Sequence, residues 1–260
     1  MDQDALAEPL AWDIAFWAMA FDEPDYDLHA LGDLALELGR KLRAIGTYGL
    51  LATGDPTHLF DNLVRSGEYR VRYLERAGSA VGVDLHHAVL GRLDPILDLV
   101  AADRDDLVRR LVALSPPDHD PQREYLDDFC YARALASLFL DRESPNSQSA
   151  STNSAHDEAL DRYDSWLDGD PDVRLDVCRA LASADVQSFV DAFETLLGQH
   201  VDVMEMRRET ELVDALIPAG RSLFVEGLAL LNIARHRGLV VRDTFALCPD
   251  IARIGHRGGR

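Results

Sequence analysis

Glu226 is the residue in this sequence whose surroundings come closest to a site for acid–base chemistry. It lies in Phe224-Val225-Glu226-Gly227-Leu228-Ala229-Leu230-Leu231, and Leu230 and Ile233 share its helical face one and two turns on. A carboxylate among leucines is costly unless it meets an arginine or backbone donors, so the spacing predicts a partly buried ion pair. The competing reading is a desolvated general acid, which would need a cleft and further convergent polar groups.

Other candidates lose their chemistry on inspection. Asp168-Gly169-Asp170-Pro171-Asp172 opens like a calcium loop, but Val173 stands where the sixth position needs glycine and Arg179 where the twelfth needs a bidentate glutamate. A helix N-cap is the better account of those aspartates. Asp118-His119-Asp120 has no third or fourth ligand at helical spacing and reads as solvated loop. His86 and His87 are adjacent, so on a helix they would diverge by about 100° and could not chelate one ion; one of them is expected to face solvent. Cys130, Cys178 and Cys248 are odd in number, far apart and without C-x-x-C spacing, which predicts small buried apolar groups and neither disulfides nor zinc. The sequence holds no H-E-x-x-H, G-x-S-x-G or P-loop pattern, nor an arginine followed by a histidine with four to six residues between them, as all-α HEPN ribonucleases carry. No catalytic residue, cofactor or metal is therefore expected.

The elements that must position these residues are helices. Leu28, Leu31, Leu34, Leu38, Leu42 and Ile45 form one apolar stripe, ending near Gly46 or Gly54. Asp55-Pro56 restarts a helix, and Asp94 with Pro95 breaks the periodic stretch from Leu85 to Val100. A short helix follows at 107–112, then one over 122–141 with Tyr125 and Phe129 on its buried face. Helices resume at 155–167, after an Asp170-Pro171 cap, and after an Asp185 cap where Phe189, Phe193, Leu197, Val201 and Met204 keep three-four spacing. Pro218 to Gly238 reads as one central helix, with Gly227 admitting a neighbouring helix and Gly238 at C′. Residues 238–242 are the best strand candidate and are very short. The expectation is all-α: antiparallel helix hairpins in a bundle or short superhelical array, one domain over 1–260, with a flexible Ser/Asn-rich loop at 143–154.

Composition narrows the partners. The chain has 260 residues and a net charge of −20, so attraction to nucleic acid or an anionic membrane is disfavoured. Lys41 is the only lysine and aspartate outnumbers glutamate by more than two to one, the pattern of a surface that stays hydrated in concentrated salt and hence of a halophilic, haloarchaeal host. An acidic face for a basic partner is the alternative, and Asp103, Asp105, Asp106, Asp127 and Asp128 would be its members; solvated helix faces explain them equally. The start Met1-Asp2-Gln3-Asp4 has no cationic leader and no apolar run approaches about 20 residues, so a cytoplasmic, membrane-free protein is expected.

Phe224, Glu226, Gly227, Leu230 and Leu231, followed by Ala234-Arg235, Arg237-Gly238-Leu239 and Leu247-Cys248-Pro249, resemble the C-terminal signature of the Imm49 family of immunity proteins. There a similar aromatic-x-Glu-Gly helix precedes a proline turn near the C-terminus. The likeness is specific from Leu223 to Ile251; the Ser/Asn insertion after Arg142 and the acid-rich surface depart from it. The resemblance implies an all-α protein that occludes a cognate protein toxin without catalysis, with signature residues that are structural and an interface that lies elsewhere. A helical adaptor without a toxin partner is the runner-up, and an all-α enzyme comes third.

Overall fold

The computed structural model describes residues 3–80, 86–141, 155–210, 216–241 and 244–253. Among them are eleven α-helices: α1 Gln3–Ala18, α2 Leu28–Thr53, α3 Thr57–Gly78, α4 Leu93–Ala101, α5 Asp105–Leu114, α6 Leu126–Leu140, α7 Ala155–Leu167, α8 Val173–Ser183, α9 Val186–Thr210, α10 Leu216–Ser222 and α11 Val225–His236. Two 3₁₀ turns, Met19–Phe21 and Asp250–Arg253, complete them. No strand occurs among the described residues. Positions 238–241 are irregular, and the nearest approach to β structure is an isolated bridge between Phe245 and Cys248. The Ser/Asn-rich stretch 143–154 and Leu85 lie outside the described residues.

The long helices pair as antiparallel hairpins, α2 with α3, α6 with α7 and α8 with α9, while α11 packs on α4 and α6. One buried cluster draws side chains from α2 through α9, α11 and the tail. In α2, Asp27 caps the start by accepting the Ala30 N–H at 2.8 Å, and Gly54 ends it at φ +69°. Leu31, Leu34, Leu38 and Leu42 are buried as the stripe requires, each adding about 1.5–3 kcal/mol. Gly46 does not end α2. Gly32, Gly39 and Gly46 recur every seven residues along it, and a Cβ on them would meet His87, Ser66 Oγ and the Leu59 backbone respectively. These notches set how closely α3 and the chain after it approach α2.

Several boundaries differ from the periodicity. His86 to Gly91 form a turn with no helix, so α4 starts at Leu93 with Asp94 and Pro95 in its first turn, where proline costs no intrahelical bond. Tyr125 precedes α6 and is exposed. Asp172, and not Asp170, caps α8, accepting the N–H groups of Arg174 and Leu175 at 2.8 and 3.0 Å. Asp185 does cap α9, through Gln187 and Ser188, but Val186 and Val201 face solvent.

The expected single helix from Pro218 to Gly238 is broken at Leu223–Phe224. Tertiary partners replace the i→i−4 bond there: Phe224 N–H goes to the Leu247 carbonyl at 2.9 Å, and the Gly220 carbonyl pairs with His200 Nε2, also at 2.9 Å. The stretch Leu216–His236 is apolar and long enough to cross a membrane, contrary to the expectation that no such run exists, and 67% of its most apolar window is buried inside the protein. Gly238, at φ +79°, ends α11 in a Schellman motif, with its N–H on the Arg235 carbonyl and the Leu239 N–H on the Ala234 carbonyl.

Candidate functional site

Glu226 occupies the first turn of α11, where a carboxylate meets the positive end of the helix dipole. Its side chain is 14% exposed and paired as its setting demands. Arg174 Nε donates to Oε1 at 3.1 Å, Arg174 Nη2 reaches Oε2 at 3.5 Å, and the Tyr131 hydroxyl donates to Oε1 at 2.8 Å. Arg174 stands over the Tyr131 ring at 4.9 Å and also reaches Asp128 Oδ1 at 3.4 Å. As the second residue of α8, Arg174 sits unfavourably at a helix N-terminus, and the two carboxylates compensate. Burial would depress the Arg174 pKa, but Glu226 outweighs it and holds it above the usual arginine range. Burial, with Glu226 beside it, pushes the Tyr131 hydroxyl well above the usual tyrosine value.

Two clefts meet at this carboxylate. One, of about 590 Å³, is lined by Arg40, Arg43, Asp94, His200, Arg207 and Glu226, among others. The other, of about 360 Å³, includes Asp172, Arg174, Gln199, His200, Phe224 and Glu226. His200 lines both, stacked on Phe224 with ring centroids 4.3 Å apart. Burial lowers its pKa, so it is neutral at pH 7. The arrangement therefore presents polar walls around a carboxylate whose oxygens already accept from an arginine and a tyrosine.

A second ionic cluster lies deeper. Arg43 binds Asp98 Oδ1 through Nε at 2.8 Å and Asp94 Oδ1 through Nη1 at 2.9 Å, while Ser66 donates to Asp98 Oδ2 at 2.6 Å. Burial raises the Asp98 pKa to about 6, against the pull of Arg43 and Ser66.

The signature residues form one interlocked unit. A Cβ on Gly227 would meet the Phe224 ring at 2.5 Å and Cys248 Sγ at 2.8 Å, so the glycine admits the tail and the preceding phenylalanine in place of another helix. Leu230 and Leu231 are buried in the core. Arg235 and His236 bind Asp103 at 3.2 and 2.7 Å, tying the end of α11 to the turn after α4. Pro249 is exposed and begins the last 3₁₀ turn, its carbonyl accepting the Ala252 N–H. All three cysteines are free and buried; burial pushes the Cys248 thiol up to about 12, Arg253 opposing.

The remaining candidates sort plainly. Asp172 serves as a cap, and Asp120 closes a turn by accepting the Gln122 N–H. Of the five aspartates read as a solvated face, Asp103 and Asp128 are committed to internal pairs and Asp106 to Arg104. His86 and His87 do not lie on a helix. His86 is half-buried and His87 buried, so neither is fully exposed, and His87 meets His29 and Asp33 of α2. Local spacing gave no sign of Arg174 or Tyr131, which come from 52 and 95 residues away.

No curated protein and no solved structure matches the chain. The family model of Immunity protein 49 matches residues 27–250, taking in α2 through α11 and the tail that docks on Phe224 and Gly227; the chain belongs to the Immunity protein 49 family.

Proposed function

We propose that this protein binds and neutralises one cognate toxin of a polymorphic or contact-dependent system by occluding it, without catalysis, in the cytoplasm of the producing cell. Membership of a family of immunity proteins over residues 27–250 carries the reading. Glu226, the best candidate for a general acid, has both oxygens engaged by Arg174 and Tyr131, a pairing that suits a structural role.

The toxin contact falls on α1 and the turn after it. Trp12 is 73% and Phe16 63% exposed, Met19 is exposed beside them, and Phe16 packs edge-on to Trp17. Exposed tryptophan and phenylalanine are the residue types that anchor protein interfaces. This face precedes residue 27, where the family match begins. Co-expression with candidate polymorphic toxins tests the proposal: one of them is neutralised, so that growth is rescued and the two proteins co-purify, whereas rescue without a complex contradicts occlusion.

A further inference from the structure

Among the described residues, His87 belongs to the group of side chains that could hold a metal ion, with His29 and Asp33. It is buried, yet among the described residues neither ring nitrogen has a hydrogen-bond partner. Asp33 Oδ1 stands 3.3 Å from its Nε2 without meeting hydrogen-bond geometry, and His29 Nδ1 stands 3.9 Å from Asp33 Oδ2. One donor atom from each of His29, Asp33 and His87 lies within 4.8 Å of the other two. Donors bound about 2.0–2.2 Å from a single tetrahedral ion stand roughly 3.3–3.6 Å apart, so a contraction from within 4.8 Å brings the three together.

The framework holds these side chains ready. His29 and Asp33 are four residues apart on the first two turns of α2 and project from one face. His87 is laid over Gly32, whose missing Cβ would stand 2.7 Å from His87 Cβ. The turn carrying it is pinned on both sides: buried Arg70 donates to the Val89 carbonyl at 2.9 Å, and the Gly91 N–H donates to Glu124 at 2.7 Å. A buried imidazole with two unsatisfied nitrogens costs free energy that a ligand would recover.

We propose that His29, Asp33 and His87 form a binding site for a divalent transition-metal ion of the zinc class. Two imidazoles and one carboxylate select borderline ions over magnesium and calcium, which favour oxygen ligands. Three protein ligands leave at least one coordination position for water or a side chain from a partner, on the exposed side where His29 and Asp33 stand. The bound ion staples the turn after α3 to the start of α2.

Cobalt(II) titration of the chelator-treated, tag-free full chain tests the site. The expected result is one equivalent bound per chain, with the visible absorption of a nitrogen–oxygen site, displaced by zinc and not by magnesium. His29→Ala and Asp33→Asn, both exposed positions that leave the core intact, each weaken binding by about tenfold or more, a factor that loss of even an outer partner produces. No saturable absorption in the parent chain, or affinity unchanged in both variants, overturns the proposal.

Discussion

At the scale of the residue, the partly buried Glu226 was legible because a lone carboxylate in an apolar helix has few tolerable fates, and an arginine partner is the commonest. Which arginine was not legible, since Arg174 and Tyr131 reach it only through the tertiary fold. Tyr131→Phe removes one donor to a carboxylate and should lower unfolding free energy by about 1–3 kcal/mol, while Arg174→Met strands Glu226 and should cost more, about 3–5 kcal/mol. Urea unfolding measures both; equal small losses would mean the cluster is solvated. Asp98 predicts a pH effect. Its folded pKa of about 6 exceeds the ordinary 3.8, so the folded chain holds the proton more tightly. Its contribution is fully present below pH 3.8 and is lost as pH rises through 6. The stability of the parent chain minus that of Asp98→Asn should therefore fall over that window, and a flat difference would contradict the assignment.

At the scale of the element, helix type and order were readable from apolar periodicity, because α2 and α9 keep three-four stripes bounded by glycine or cap signals. The misplaced boundaries share a cause. The break at Leu223–Phe224 and the turn at His86–Gly91 are imposed by distant partners, Leu247 and His200 in one case and Arg70 and Glu124 in the other. Periodicity also hid the glycines of α2: Gly46 reads as a helix end and Gly32 and Gly39 give no signal, yet all three serve as contact notches. Gly39→Ala should be destabilising by about 1–3 kcal/mol despite alanine's higher helix propensity, because the new Cβ would stand 2.7 Å from Ser66 Oγ and displace the hydroxyl that binds Asp98. A thermal melt at or above that of the parent would show that α2 and α3 are not so closely held.

At the scale of the whole molecule, a net charge of −20 with a single lysine predicts a fold that tightens in salt. Screening of self-repulsion is nearly complete at about 1 M, where the Debye length is about 3 Å, so the melting temperature should climb as potassium chloride is raised from about 0.1 M to about 2 M. A melting temperature that falls over that range would point away from a halophilic host and toward an acidic face kept for a basic partner. Trp12→Ala and Phe16→Ala, which remove exposed side chains, should leave that melt unchanged and weaken toxin binding by about 2 kcal/mol or more each if α1 anchors the interface. The all-α architecture was within reach of the sequence; the contact face was not, because the signature that marks the family is spent on docking the tail against α11. The most direct test is to titrate the purified protein against a fixed amount of purified toxin and follow residual toxin activity. Occlusion predicts a linear fall to zero at one equivalent, with a stable complex at the end point. Complete inactivation by a small fraction of an equivalent, or no inhibition at any ratio, would contradict it.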